Sequence, residues 1–264
     1  MSDELRVTIN DWIAEVVITR PPHNFFDHDL IRQIADAFDA LDEDANCRAI
    51  ILASQGKSFC AGANFGSGTG SDQGSADFTE EGFRNTTGIL YKEGARLFAN
   101  RKPIIGAIQG AAIGGGLGLS LVPDFRVVTP NARFAANFVK LGLHQGFGIS
   151  LTLPRLIGQQ AATRMLLTGR RVSGTEALTL GLADRLVEAD ELMDAARAMA
   201  AEITENAPLA VASVRATLRQ GLAEAVAQVT DHELREQQRL RATADSAEGI
   251  RAVAERRPGN FIGS

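Results

Sequence analysis

The sequence predicts an α/β fold in which strand, strand and helix recur along the chain, closed by a helical C-terminal region. Three observations predict it. Two apolar runs, at 49–53 and 104–108, each lead into a turn of small residues: Ser58-Phe-Cys-Ala-Gly-Ala-Asn64 and Gly110-Ala-Ala-Ile-Gly-Gly-Gly-Leu-Gly118. Strand, glycine turn and helix recur over 104–121, with further strands at 125–128 and 132–135. From Asp190 onward the pattern is helical, broken near Pro208 and at Ala244-Asp245. We therefore divide the chain near residue 200, with 1–200 as the core and 201–264 as the helical region. A chain of 264 residues, 45% hydrophobic and 22% charged, has apolar side chains enough for a sizeable core.

Each element has a local reason. Alternation in 5–9 and 12–19 predicts a hairpin. Over 27–42, Leu30, Ile31, Ile34, Phe38 and Leu41 fall on one helical stripe, with Asp27 or Asp29 as N-cap. Residues 66–75 are polar and dense in glycine, with nothing to bury; they predict a mobile loop, a possible lid, before a helix at about 79–100. Ser173-Gly-Thr-Glu176 is a capping box opening a short helix that Gly181 closes. Asp245-Ser-Ala-Glu248 is the expected cap of the last helix. Leu222, Val226, Val229, Leu234 and Leu240 form an apolar stripe, suited to a subunit interface or to burial within the same subunit.

Residues without bulk let a ligand approach the main chain closely, and a helix that begins in a glycine cluster aims free N–H groups at whatever sits there. Two such donors converging on one point are what an oxyanion needs; tight packing of a helix on a sheet would use the same residues. Nucleotide-binding loops do not fit. Leu119 and Leu121 stand at the third-glycine positions counted from Gly114 and Gly116, and Ile51 stands where a phosphate loop ending in Gly56-Lys57-Ser58 would begin. A net charge of −5 argues against nucleic acid or an anionic membrane as the main partner. An acidic ligand would need a local basic patch, for which Arg101-Lys102 and Arg256-Arg257 are candidates. Cys47 and Cys60 lack metal-ligand spacing, and no base stands beside Cys60 in the sequence to make it a nucleophile. With no signal peptide and no long apolar run, this cysteine usage predicts a reducing cytoplasm.

The two turns and their surroundings resemble the enoyl-CoA hydratase/isomerase (crotonase) superfamily. An alanine-glycine-alanine turn after one strand, then a triple glycine after Lys102-Pro-Ile-Ile-Gly-Ala-Ile-Gln-Gly110, carries the resemblance, which runs almost end to end. Arg20-Pro-Pro-His-Asn24 resembles the first CoA-contacting loop, Pro123-Asp-Phe-Arg-Val-Val128 the strand after the glycine helix, and Leu153-Pro-Arg-Leu-Ile-Gly158 the next helix. Thr168-Gly-Arg-Arg171, Glu176-Ala177, Gly181-Leu182 and Val187 resemble a further run. Glu248-Gly249-Ile250 through Arg257-Pro258 and Phe261 resemble the C-terminal end. The resemblance implies a crotonase-like spiral of β-β-α turns with a C-terminal helical oligomerisation region. It also implies an acyl-CoA thioester substrate, no cofactor beyond that CoA, no metal, and a homotrimer or dimer of trimers.

Carried over by position, the resemblance implies an oxyanion hole made by the backbone N–H groups of Ala61 and Gly115. Pro22, His23, Asn24, Phe59, Ala63, Phe138 and Phe261 would contact the substrate. Hydratases of the superfamily set two glutamates over the reacting carbons; those positions are Gly118 and Phe138 here, and a third position, aspartate in some members, is Gly146. A general acid or base contributes about 10²–10⁴-fold, so efficient hydration is not expected. His144, Tyr91 and Glu81 are the side chains that could enter the same cavity, each also readable as structural. The expected function is an acyl-CoA lyase or isomerase of divergent chemistry. Two alternatives stand beside it: a non-catalytic acyl-CoA binder, and a decarboxylase or C–C lyase whose leaving group generates the enolate.

Overall fold

The computed structural model describes residues 4–63 and 87–264. The hairpin is β1 (Leu5–Asn10) and β2 (Ile13–Ile18), followed by α1 (His28–Glu43), whose N-cap Asp27 accepts the Leu30 N–H. Then come β3 (Ala49–Ser54), β4 (Ser58–Cys60), α2 (Ile89–Arg96), β5 (Ile104–Ile108), β6 (Ala111–Ile113), α3 (Gly115–Ser120), β7 (Phe125–Val128) and β8 (Arg133–Ala135). After α4 (Ile149–Thr168), β9 (Val172–Ser173), α5 (Gly174–Leu180) and β10 (Arg185–Leu186), the chain is helical: α6 (Leu192–Thr204), α7 (Pro208–Leu218), α8 (Leu222–Arg241) and α9 (Ala244–Ala254).

The strands sort alternately into two sheets. One has the order β1-β2-β3-β5-β7-β10 and the other β4-β6-β8-β9. Each consecutive strand pair, β3/β4, β5/β6 and β7/β8, thus gives one strand to each sheet, and the β3-β5-β7 and β4-β6-β8 neighbours are parallel. This is the β-β-α spiral that the resemblance implies. Successive side chains leave a strand on opposite faces. Ala49, Ile51, Ala53, Ile105, Ala107 and Val127 face α6, while Ile50, Leu52, Ile104, Ile108 and Val128 face the core that holds the second sheet. Burial on both faces is why these strands read as unbroken apolar runs.

Two details differ from the sequence reading, and a third settles an alternative it left open. Residue 200, the expected border, lies inside α6, whose Leu192, Ala195, Ala196 and Ala200 are packed on the first sheet. The last helix is capped by Thr243, which accepts the Ser246 N–H. Asp245 instead accepts the N–H groups of Ile262 and Gly263 at 2.7 and 2.9 Å, fastening the C-terminal segment. Of the apolar stripe on α8, Leu222 and Val226 are buried within this chain. Ser173 caps α5 and Gly181 closes it as expected, but the Glu176 carboxylate pairs with Arg170 rather than completing a capping box; the loop at 66–75 and the start of the helix at 79 lie outside the described residues.

Candidate active site

β4 and β6 lie side by side, with Ser58 opposite Ala111 and Cys60 opposite Ala112, so the turns that follow them meet. The meeting is so close that side chains are excluded. A Cβ on Gly116 would overlap the Cys60 carbonyl oxygen, and one on Gly62 would stand 2.7 Å from the Ile113 carbonyl oxygen and 3.6 Å from the Gly115 nitrogen. Gly62 also has φ +81°, a conformation that a residue with Cβ rarely adopts.

The main-chain donors at this meeting point are not equivalent. The Gly114 N–H is used by the Ala135 carbonyl at 2.8 Å, and the Ala61 N–H by the His23 carbonyl at 3.0 Å. The second bond corrects the expectation for Ala61: its donor is committed inside the protein. The N–H groups of Ala63 and Gly115 have no acceptor among the described residues. Gly115 is the first residue of α3, where the helix supplies no partner.

The residues expected to touch substrate divide into two groups. Asn24 is fully buried; its amide donates to the Gln55 and Ser58 carbonyls at 2.6 and 2.7 Å, and its Oδ1 accepts the Arg20 N–H. Phe59 is fully buried in the core. Both build the turn rather than face a ligand, which corrects their assignment. Pro22 accepts the Lys57 N–H at 2.9 Å through its carbonyl. His23, by contrast, lines a concavity of about 510 Å³ with Lys57, Ser58, Ala61, Gln109 and Arg133. Lys57 and Arg133 are exposed and have no acidic partner among the described residues, which suits them to an anionic ligand. Three of the four cations singled out from the sequence are occupied instead. Arg101 pairs with Glu43 at 2.5 Å, Lys102 donates to the Leu41 and Asp44 carbonyls, and Arg257 pairs with Glu248 at 2.5 Å. Phe261 is partly exposed on the C-terminal segment.

On the other side of Gly115 the space is filled by rings. A Cβ on Gly115 would overlap the Phe26 ring, one on Gly118 would stand 2.7 Å from Phe147 Cδ1, and one on Gly146 would overlap the Tyr91 hydroxyl. Phe26 and Phe147 have ring centroids 5.8 Å apart, and Tyr91 meets Phe147 edge-on at 6.4 Å. Phe138 approaches Gly114 together with Asn137. At Gly118 and Gly146 the space that a side chain would occupy is thus taken by aromatic rings.

Of the acid/base candidates, Tyr91 is buried, which raises its phenol pKa well above the ordinary value, and its hydroxyl donates to Gln237 Oε1 at 2.9 Å. Its proton is held inside the protein. His144 lies 2.8 Å from the Gln145 carbonyl through Nδ1 and meets His232 of α8 edge-on at 5.8 Å. Glu81 lies outside the described residues. Burial pushes the Cys60 thiol up to about 12, so it stays protonated near neutrality. Among the described residues no three His, Cys, Asp or Glu side chains converge as a metal site would require, and no helix is long and apolar enough to cross a membrane. Sequence reasoning missed Phe26, Phe147 and Glu233; none carries a periodic or motif signal, because their importance arises from contacts between distant segments.

A β-β-α spiral that brings two small-residue turns to one point, beside a cationic concavity, defines a class: the acyl-CoA enzymes of the crotonase fold. The chain belongs to the enoyl-CoA hydratase/isomerase family, whose sequence profile matches residues 8–264. Carnitinyl-CoA dehydratase of Proteus mirabilis is 34% identical over 268 residues, covering 100% of both chains. That of Salmonella enteritidis is 35% identical over 262 residues, covering 97% of each. The crystal structure of an enoyl-CoA hydratase/isomerase from Pseudoalteromonas atlantica matches with a TM-score of 0.84 at 27% identity, over 98% of this chain and 100% of that one.

Proposed function

We propose that this family member binds an acyl-CoA thioester with its carbonyl oxygen on the N–H groups of Ala63 and Gly115 and stabilises the enolate formed there. It does so without a proton relay from residues 118, 138 or 146. The observation that carries the reading is the approach of Gly62 to Gly115, 3.6 Å from an added Cβ to the nitrogen, beside two donors that have no acceptor among the described residues. Charge developing on a thioester oxygen is stabilised most by such fixed donors. The concavity beside Ala61 takes the CoA phosphates on Lys57 and Arg133, with His23 at its rim, and Phe261 approaches from the C-terminal segment.

With Gly118, Phe138 and Gly146 in place of carboxylates, the chemistry that fits is one in which the substrate's own bond cleavage leaves the enolate, as in decarboxylation or C–C scission. The dehydratase relatives favour a second reading, elimination of water from a β-hydroxyacyl thioester. We place the protein in the cytoplasm as a homotrimer or dimer of trimers. Leu209, Val214 and Leu218 on α7 are exposed apolar residues that a neighbouring subunit would cover. Light scattering should then give three or six times 28.1 kDa.

The test offers malonyl-type, β-hydroxyacyl and enoyl thioesters to the purified protein and reads product by mass. Turnover of a malonyl-type thioester, with crotonyl-CoA hydration absent, is expected. Rapid hydration of crotonyl-CoA would overturn this reading. Binding of CoA thioethers with turnover of none of the three classes would identify a non-catalytic binder.

A further inference from the structure

Phe147 has φ +62°, a left-handed backbone that residues with a Cβ rarely take, yet it is almost completely buried. Something outside its own segment must hold it there. Its ring lies against Gly118 on α3, against Gly94 on α2, where an added Cβ would stand 2.9 Å from Cε2, and against Phe26 and Tyr91. The glycine at 118 is thus the complement of the ring at 147: neither position tolerates more bulk while the other keeps its residue.

The holder is α8. Glu233 is fully buried, and its two oxygens accept the Gly148 N–H at 2.7 Å and the Ser150 N–H at 2.8 Å, one on each side of the start of α4. A carboxylate suits the N-terminus of a helix, but this one comes from 83 to 85 residues away rather than from the local sequence. One turn further along the same face of α8, Gln237 donates to the His144 carbonyl and accepts the Tyr91 hydroxyl, both at 2.9 Å. The segment carrying Phe147 is therefore gripped before and after the ring by two residues of the C-terminal region.

We infer that Glu233 is a positioning residue that, through the turn at 146–148, holds the Phe147 ring against Gly118 and so closes the acyl end of the thioester site to all but short acyl groups. This rests on the thioester reading of the site given above. Glu233 touches no substrate; it acts through the place it gives Phe147.

The experiment is calorimetric titration of CoA and of its S-ethyl, S-butyl, S-hexyl and S-octyl thioethers. The proteins are the full-length wild type, Phe147→Ala, Glu233→Ala, the double variant and Glu233→Gln. CoA itself should bind all of them alike. In the wild type, affinity should fall as the chain lengthens. Phe147→Ala and Glu233→Ala should each restore the longer chains by about tenfold or more, and the double variant should do no better than Phe147→Ala alone, because both act on one ring. Glu233→Gln, which keeps shape and one good acceptor, should shift the profile in the same direction by less, and it serves if Glu233→Ala does not fold. Gains that multiply in the double variant, or a Glu233 variant that weakens CoA and every thioether by one common factor, would show a merely structural role and overturn the inference. Retained CoA binding with an unchanged chain-length profile would overturn it and leave the site reading standing. Failure of the wild type to bind CoA would bring down both.

Discussion

Around Gly62 and Gly115 the site consists of main chain, whereas around Gly118 and Gly146 it consists of aromatic side chains. The two regions use glycine for opposite reasons. At 62 and 116 a Cβ would strike a carbonyl oxygen, so glycine lets two backbones meet and leaves donors exposed at the junction. At 118 and 146 a Cβ would strike Phe147 or the Tyr91 hydroxyl, so glycine yields its own side-chain space to a ring. The first kind of site can persist through wide side-chain change because its working groups are peptide N–H donors. In the second kind, any side chain placed at 118 or 146 must displace the ring that fills its space.

The sharpest way to break the comparison is to put a methyl group on the backbone junction. Gly116→Ala should destabilise the protein by more than about 4 kcal/mol or prevent folding, because the two nearest atoms, the Cys60 carbonyl oxygen and carbon, belong to the main chain. Urea unfolding measures it; a loss below about 1 kcal/mol would mean that the turns are not rigidly joined. A smaller but more telling change removes one donor without adding bulk. An ester in place of the Gly115 N–H should lower turnover by about 10²–10³-fold, or about 2.7–4 kcal/mol in the barrier, while leaving CoA affinity nearly intact. Gly115→Pro, the obvious alternative, also brings a Cβ into the Phe26 ring and would confuse the two effects. Equal turnover by the ester variant would remove Gly115 from the chemistry.

The unequal legibility of the two regions follows from the same contrast. The strands, the glycine turns, Asp27 and Ser173 as caps, and the β-β-α recurrence are short-range patterns, and the structure carries each of them. That the Gly115 N–H finds no acceptor among the described residues was legible, because a glycine cluster opening a helix leaves its first N–H groups without a helical partner. Ala61 was misread because its donor is taken by His23, which is 38 residues earlier and reaches it only through the fold. Asn24 and Phe59 look from their positions like ligand contacts, yet one is a buried amide clamp and the other a core ring. Glu233 reaches Gly148 and Ser150, beside Phe147, over a separation of 83 to 85 residues that no local pattern spans, so neither Glu233 nor Phe147 could be found before the chain was folded.

A third change sharpens the aromatic half of the comparison. Gly118→Glu should cost about 1–3 kcal/mol by overpacking against Phe147. It should produce no hydration of crotonyl-CoA, because the new carboxylate meets a ring rather than water. Adding Phe147→Ala should recover much of the stability lost to Gly118→Glu, a non-additivity expected of residues in contact. Denaturant midpoints of the two single variants and the double decide it. Simple addition of the two losses would mean that the ring and the glycine do not compete for one space.

The smallest effect expected is also the one that tests how the aromatic side is held. Burial raises the Glu233 carboxyl from the ordinary value near 4.5 to about 7, while its hydrogen bonds to Gly148 and Ser150 pull the other way. A folded-state value above the unfolded one means that the folded protein binds the extra proton between those limits. The stability tied to that proton is present in full below about 4.5 and is lost as the pH rises through about 7. Glu233→Gln has no proton to lose. Measured against the wild type, the variant should therefore gain about 1–2 kcal/mol in relative stability between about pH 5 and pH 8, whatever constant offset its poorer cap at α4 introduces. Every other titrating group is common to both proteins and cancels in the difference, so the slope belongs to Glu233. Chemical unfolding at four or five pH values is enough. A slope of opposite sign would show that the two N–H donors and the start of α4 outweigh burial, and that the carboxylate is anionic throughout the neutral range. A flat difference would show that burial and the two N–H donors cancel, leaving the Glu233 carboxyl at its ordinary value while it still holds the start of α4.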